Sequence, residues 1–241
     1  MSSAVSRRVS LVVCLGAVLA PLSVSVAAEP DGRELFIESC ASCHGSEGQG
    51  TDAGPSIIDA GAAAADFQLR TGRMPLADDG AQAVRKPPAF SPDEIEALTA
   101  FVASLGEGPE IPTVDLDGAD LSDGQELFVA NCAACHGATG SGGAVGAGAL
   151  APSLSVADPV EIAEAMLTGP GQMPVFTAIE SEDIQDIVAY VVHLREQRAF
   201  GGADLGGIGP VPEGFVGLGL GVACLVAISV LLGSKRKRDE A

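Results

Sequence analysis

The chain is poor in aromatic residues, with no Trp, one Tyr and eight Phe among its 241 residues. Large aromatic side chains usually fill much of the core of a small domain. Their scarcity excludes an aromatic-rich core. It indicates that something other than side chains fills the middle of the fold.

Basic residues are also scarce away from the termini. The formal net charge is −19, and six of the thirteen Lys and Arg residues lie close to the two ends of the chain. From residue 29 to residue 213 there are seven bases and thirty acids. A segment this acidic repels nucleic acid, so nucleic-acid binding is excluded as its role. The acidity by itself names no partner.

The N-terminal residues have the pattern of a secretory signal peptide. Residues 1–28 contain a basic start, an apolar run and small residues before Glu29. These three features in this order are typical of a signal that directs export. We therefore expect the residues that follow to lie outside the cytoplasm.

The C-terminal residues have the pattern of a membrane anchor. An uncharged run of 18 residues, 215–232, is followed within a few positions by four consecutive basic residues. Such a length predicts a transmembrane helix over residues 214–233. Since positive charge marks the cytoplasmic side, the basic tail, residues 234–241, is predicted to be cytoplasmic. The chain is thus expected to cross the cell membrane once, in contact with lipid, with its main part on the extracytoplasmic side.

Between these two ends the sequence repeats itself. The segment DGRELFIESCASCHG, residues 31–45, matches DGQELFVANCAACHG, residues 123–137, at an offset of 92. The match continues at a larger offset, because a Pro-Ser pair recurs at Pro55 and Pro152, and TGRMP recurs as TGPGQMP. The chain therefore contains two related domains.

These domains are the first unit, residues 29–106, and the second unit, residues 122–199. A Gly-, Pro- and Asp-containing linker, residues 107–121, joins them, and a Gly/Pro linker, residues 200–213, leads to the membrane. Each unit closes with a helical apolar pattern, and we find no convincing alternating strand pattern. We predict an all-α fold of two tandem domains plus one C-terminal transmembrane helix.

The closing helix of the first unit has clear start and stop signals. Ser91 is predicted to cap its N-terminus, with Pro92 at the first helical position and Glu94 completing a capping box. Gly106 is predicted to end it.

Each unit carries one Cys-x-x-Cys-His motif. Structural zinc would need about four ligands, and each motif offers only three. A redox dithiol would accept the spacing but gives no reason for the adjacent His. Haem attachment uses all three residues, since both thiols bond to the haem and the imidazole reaches the iron. The motifs therefore predict two covalently bound haem c groups, held by Cys40, Cys43 and His44 and by Cys132, Cys135 and His136.

The methionines supply candidates for the second axial ligand of each iron. Met74 and Met173 both precede Pro in matching segments, downstream of their histidines, whereas Met166 corresponds to Leu69 and is predicted to be a core residue. A thioether favours reduced iron and raises the potential. The alternatives are that Met74 and Met173 only fill gaps in the core, or that His193 supplies a second imidazole. The repeat does not require His193.

Two further segments have more than one interpretation. Arg73, Arg85 and Lys86 are scarce bases close to Met74, and they are predicted to meet haem propionates or an acidic partner, or to be solvated surface residues. The glycine-rich segment GATGSGGAVGAGAL lacks the Gly-Lys-Ser/Thr ending of a phosphate loop. Its glycines are expected to let the backbone wrap closely around the haem or turn sharply.

The ordered motifs of each unit resemble the class I cytochrome c fold. That resemblance implies that a glycine and an aromatic residue of the first helix cross an aromatic residue of the last helix. The residues concerned are Gly32, Phe36 and Phe101 in the first unit and Gly124, Phe128 and Tyr190 in the second.

The signal, the two units and the single anchor together resemble the dihaem cytochrome c subunit of the actinobacterial menaquinol-cytochrome c reductase. The resemblance implies an electron-transfer subunit that takes electrons from the Rieske iron-sulfur protein, beside cytochrome b, and passes them to a terminal cytochrome c oxidase. The subunit alone is then an electron carrier that breaks no substrate bond. Two alternatives stay open: a free-standing membrane-tethered dihaem shuttle, and a dihaem peroxidase, which would need an open iron position.

Overall fold

Each half of the chain folds around the crossing of its first and last long helix. A computed structural model describes residues 29–76, 82–146, 148–196 and 210–239. The predicted signal peptide lies outside the described residues, as do residues 200–209 of the second linker.

The described residues are mostly helical. The first unit contains α1 (Gly32–Ser39), α2 (Ala41–His44), α3 (Gly61–Arg70) and α4 (Pro92–Ala103). The second unit contains α5 (Leu121–Asn131), α6 (Ala133–His136), β1 (Gly143–Gly146), β2 (Ala149–Ala151), a short 3-10 helix (Leu154–Val156), α7 (Pro159–Thr168) and α8 (Ser181–Glu196). The last helix is α9 (Pro210–Asp239).

Glycine allows the helices of each unit to cross closely. A Cβ atom added to Gly32 would lie 2.0 Å from the Ala97 carbonyl oxygen. One turn further on, the rings of Phe36 and Phe101 lie with their centroids 5.0 Å apart. The crossing implied by the resemblance is therefore confirmed in the first unit.

The second unit repeats this crossing with α5 and α8. A Cβ atom added to Gly124 would lie 2.1 Å from the Asp186 carbonyl oxygen. The Phe128 and Tyr190 rings are 5.5 Å apart, and Phe128 is fully buried. The expected all-α architecture of two tandem cytochrome c-like domains is confirmed.

The start of α4 is as predicted, but its end is not. Ser91 and Glu94 form the reciprocal capping box, with Pro92 at the first position. The helix ends at Ala103 and not next to Gly106. The Ser104 hydroxyl donates to the Phe101 carbonyl oxygen at 2.6 Å, which competes with continuation of the helix.

The expectation that the chain contains no strand was wrong at one place. In the glycine-rich segment of the second unit, β1 and β2 pair antiparallel, with Gly143 opposite Ala151 and a register shift between Ala144 and Gly146. The offset between the repeats grows from 92 at the histidines to 97 at Pro55 and Pro152. The hairpin segment, residues 143–151, stands where the first unit has only residues 51–54, which accounts for the difference of five residues.

The last helix, α9, carries the predicted membrane span. Its segment Gly214–Gly233 has a mean hydropathy of 2.6, and none of it is covered by the rest of the described chain. An apolar helix of this length that packs against nothing else fits a lipid environment.

The two units meet where α3 packs against α7. Acidic groups of both helices are buried at this contact, with Asp66 only 3% exposed and Glu164 only 2% exposed. Burial, followed by the nearby charge of Asp66 and a hydrogen bond to it, raises the pKa of Glu164 to about 9, and Arg70 opposes this shift. Glu164 is therefore protonated at neutral pH.

Candidate functional site

Each Cys-x-x-Cys-His motif folds as one short helical turn directly after the first long helix of its unit. In the first unit the backbone N–H groups of Cys43 and His44 both donate to the Cys40 carbonyl oxygen, at 3.2 and 3.0 Å. In the second unit the same two bonds measure 3.1 and 2.9 Å, from Cys135 and His136 to Cys132. The turn brings both thiols and the imidazole together in one segment.

The ring of each histidine is fixed by a backbone carbonyl. His44 Nδ1 lies 2.8 Å from the Pro55 carbonyl oxygen, and His136 Nδ1 lies 3.0 Å from the Pro152 carbonyl oxygen. A carbonyl only accepts, so Nδ1 must carry the proton and donate it. The lone pair is then on Nε2, which is the arrangement of a histidine that binds a metal through Nε2.

A glycine after each histidine turns the chain back over the motif. Gly45 and Gly137 adopt the same conformation, with φ +77° and ψ +156°. This region is open to glycine and strained for other residues. The loops that follow are closed by backbone bonds from Gly50 to the His44 carbonyl, 2.7 Å, and from Gly142 to the His136 carbonyl, 2.8 Å.

The four motif thiols are free and have no features of a reactive dithiol. Burial, with a smaller contribution from Cys43, raises the pKa of the Cys40 thiol. The same two causes, with Cys135 as the neighbour, raise the pKa of the Cys132 thiol to about 11. Redox-active dithiols have a lowered thiol pKa, because the thiolate is the nucleophile. The raised pKa of the first cysteine in each motif therefore disfavours the dithiol interpretation.

A zinc site is disfavoured as well. Within the described residues no three His, Cys, Asp or Glu side chains converge in a way that would hold a metal ion. Structural zinc needs about four such ligands.

Met74 and Met173 occupy related positions at the edge of the two cores. Both are half-buried, and each packs against the apolar cluster of its own unit. Met166 is 2% exposed and lies inside the second cluster, so the prediction that it is a core residue is confirmed. The assignment of Met74 and Met173 as axial ligands stays a prediction.

These groups fit a covalently attached haem. In the first unit Cys40 and Met74 pack against the same apolar cluster, whose outer layer includes Ile57 and Phe90. A half-buried apolar surface beside free thiols and a preset imidazole is what a large flat apolar cofactor requires. In the second unit the corresponding outer layer includes Met173 and Phe176.

The bases near Met74 are placed differently from what the sequence suggested. Arg73 is only 7% exposed, so it is not a solvated surface residue. Its partner is acidic but belongs to the same chain, because Arg73 and Arg85 both pair with Glu161 of the second unit. Lys86 Nζ donates to the Pro75 carbonyl oxygen at 3.1 Å.

Sequence reasoning missed the role of Pro55 and Pro152. Their recurrence was noticed as part of the repeat, but a backbone acceptor leaves no side-chain signature. The available signal was that the Pro-Ser pair persists in both units although the spacing from the histidine changes by five residues. His193, the alternative source of a second imidazole, lies half-buried on α8.

Comparison with known proteins gives matches to both units. Residues 30–106 match the family model described as Cytochrome c, and residues 119–191 match the one described as Cytochrome C oxidase, cbb3-type, subunit III. A protein of Mycobacterium tuberculosis named cytochrome bc1 complex cytochrome c subunit is 43% identical over 239 residues, covering 92% of this chain and 85% of that relative. Its namesake in Corynebacterium diphtheriae is 39% identical, covering 85% and 80%. The cbb3-type cytochrome c oxidase subunit CcoP of an Azospirillum strain is 30% identical, covering 68% and 61%.

Proposed function

The chain belongs to the family of cytochrome bc1 complex cytochrome c subunits, and we propose that it is a membrane-anchored dihaem cytochrome c that relays electrons within a respiratory complex. Electrons enter from the Rieske protein of a menaquinol-cytochrome c reductase, beside cytochrome b, and leave to a terminal cytochrome c oxidase. Membership in the family supports electron transfer in the respiratory chain. The observation that supports two haems is the duplicated histidine geometry, in which each Nδ1 is hydrogen-bonded to a proline carbonyl.

We assign the same set of roles in both units. Cys40 and Cys43 in the first unit, like Cys132 and Cys135 in the second, attach a haem c through thioether bonds. When bound, the haem supplies one-electron chemistry. The raised pKa of the Cys40 and Cys132 thiols keeps these two sulfurs uncharged before attachment.

The histidines and methionines hold and tune the iron. His44 and His136 each present Nε2, and the hydrogen bond at Nδ1 sets the tautomer and the ring orientation. Met74 and Met173 are the proposed opposite ligands, and a thioether raises the potential above that of a bis-histidine site. If the histidine and the methionine of each unit hold its iron, neither unit would offer the open iron position that a peroxidase needs.

The anchor explains how a relay of this kind works without a diffusing carrier. The apolar segment Gly214–Gly233 is proposed to span the cell membrane, with both units on the extracytoplasmic side and the C-terminus in the cytoplasm. Tethering a carrier beside its donor and acceptor replaces diffusion by a high effective concentration.

Extraction in a mild detergent tests the proposal. An affinity-tagged chain should bring down cytochrome b, the Rieske subunit and terminal oxidase subunits in fixed proportion. A chain that purifies alone, with intact haem spectra, would contradict the proposal and favour a free-standing dihaem shuttle.

A further inference from the structure

The Met74 segment consists of two neighbouring stretches of chain, residues 71–76 and 82–86, which a backbone hydrogen bond joins. Residues 71–76 lie beside residues 82–86, and the Lys86 N–H donates to the Thr71 carbonyl oxygen at 3.1 Å. A Cβ atom added to Gly72, which has φ +63°, would lie 2.1 Å from the Lys86 carbonyl oxygen. The two sides of the Met74 segment are thus in close contact, and a group that holds either side also holds Met74.

Bases are concentrated on this segment. Four of the seven bases between residues 29 and 213 fall within residues 70–86. The opposite surface belongs to the second unit, where the first half of α7 carries acids. A cavity of 330 Å³ lies between the two surfaces, lined in part by Arg70 and Arg85 of the first unit and by Asp158 and Glu161 of the second. The two surfaces are complementary in charge.

Arg73, the neighbour of Met74, is buried in this contact. Its guanidinium carbon lies 4.5 Å from the centre of the Phe67 ring, and its Nη1 lies 3.7 Å from Glu161 Oε1. Burial lowers the pKa of Arg73, and the negative charge of Glu161 acts against that shift. A buried guanidinium needs such a counter-charge, because burying a charge without a partner is costly.

Glu161 is itself held firmly. It is the third residue of α7 and completes a capping box with Asp158, whose side chain accepts from the Glu161 N–H at 2.9 Å. One Glu161 oxygen faces Arg73 and the other pairs with Arg85, so the carboxylate bridges the two sides of the Met74 segment. The side chain of Glu161 is 9% exposed, which limits screening by solvent.

A second contact supports the same segment from the hairpin of the second unit. The Gln82 side chain donates to the Leu150 carbonyl oxygen at 2.8 Å and accepts from the Leu150 N–H at 3.2 Å. Leu150 belongs to β2, in the hairpin segment by which the second unit is longer. The hairpin therefore contacts the methionine segment of the other unit.

The arrangement is not reciprocal. The corresponding segment of the second unit, TGPGQMP, contains no base. With the offset of 97 that relates α3 to α7, the counterpart of Glu161 is Ala64. Only the first unit has its methionine segment held by charges of the other unit.

We infer that Glu161 is a positioning residue for the methionine ligand of the first unit, acting across the boundary between the units through Arg73 and Arg85. The inference rests on the proposed function, in that Met74 must bind the first iron. It makes the redox properties of the first haem depend on a residue of the second unit, whereas the second haem has no such dependence.

Imidazole binding to the ferric protein tests this, because imidazole reaches the iron only where the methionine has left. The haem-loaded full-length chain in detergent carries Met173→His, so that the first haem alone has a methionine to displace. In this background Glu161→Gln should bind imidazole about fivefold more tightly, since the ion pairs with Arg73 and Arg85 are both lost. Its first-haem potential should also fall. Gln still completes the capping box, so α7 keeps its start.

Two comparison variants show whether the ion pair is responsible. Arg85→Gln removes one of these two pairs from the side of the first unit and should shift imidazole binding in the same direction, by a smaller factor. Glu182→Gln removes an exposed acid from the first turn of α8 and should bind imidazole as the parent does. Unchanged binding and potential in Glu161→Gln, or a change in that variant without one in Arg85→Gln, would overturn the inference.

One more variant separates this inference from the proposed function. Met74→His should abolish imidazole binding at the first haem and lower its potential. If it does so while Glu161→Gln has no effect, the ligand assignment stands and the positioning role fails. If Met74→His itself changes nothing, Met74 is not a ligand and both fail.

Discussion

Replacing Gly124 with Ala tests the helix crossing on which the second unit is built. The new Cβ would lie 2.1 Å from the Asp186 carbonyl oxygen and 3.1 Å from Tyr190 Cβ. The ordinary contact distance for such atoms is about 3.5 Å, so α5 and α8 must move apart by roughly 1 Å. That movement disturbs the Phe128–Tyr190 ring contact and the hydrogen bond from the Asp120 N–H to Asp186 Oδ1, now 2.7 Å.

The magnitude follows from opposing terms. Alanine gains about 1 kcal/mol over glycine in a helix. Overpacking costs about 1–3 kcal/mol. The disturbed ring pair and the hydrogen bond to the Asp186 carboxylate add about 1 kcal/mol or more each. We expect the free energy of unfolding of the second unit to fall by about 2–4 kcal/mol.

The measurement is guanidinium denaturation of the haem-loaded chain in detergent, followed by tyrosine fluorescence. Tyr190 is the one Tyr of the chain, and there is no Trp, so this emission reports on the second unit. Gly143→Ala is the matched control, because its Cβ would meet only the Cys135 carbonyl oxygen, at 3.7 Å. A Gly124→Ala variant as stable as this control, within about 0.5 kcal/mol, would refute the close crossing of α5 and α8.

Three further predictions concern the ligands and the boundary between the units. Met74→His and Met173→His should each leave haem attached and lower the potential of one haem, measured by spectroelectrochemical titration. Unchanged potentials in either variant would show that its methionine does not bind the iron. Cys43→Ala should lose one thioether bond and reduce attachment in the first unit, seen as a lower haem content beside an intact second unit; full haem content with two thioether bonds per site would contradict the assignment. Glu164 ionises near its ordinary 4.5 when unfolded and near 9 when folded, so the folded chain holds an extra proton between these values and its stability falls as pH rises through them. Glu164→Gln should flatten that slope in denaturation at pH 6 to 9, and an unchanged slope would show that Glu164 does not hold that proton.

Much of the fold was predictable because its determinants are local. The capping box of Ser91 and Glu94 involves neighbouring residues, and both side-chain types are specific to that role. The Cys-x-x-Cys-His motif is likewise confined to one helical turn, so its sequence order is already its geometry. Because the sequence is duplicated, the second half of the fold could be predicted from the first: α5 and α8 cross as α1 and α4 do.

What sequence analysis missed depends on contacts between distant residues. Pro55 and Pro152 act through a carbonyl oxygen, a group that every residue has. Glu161 is 88 positions from Arg73, and their pairing requires knowing how the two units pack. The changed offset revealed an insertion but not that it forms a hairpin, because glycine and alanine carry no strand preference.

Mass spectrometry of the purified chain tests the central claim most directly. Cleavage after Lys and Arg, except before Pro, gives one peptide, residues 34–70, with the first motif and another, residues 86–195, with the second. The account predicts that each peptide carries the mass of one haem, bound through both of its motif cysteines. A chain with a single haem, or with haem that dissociates on denaturation, would contradict the two-haem relay.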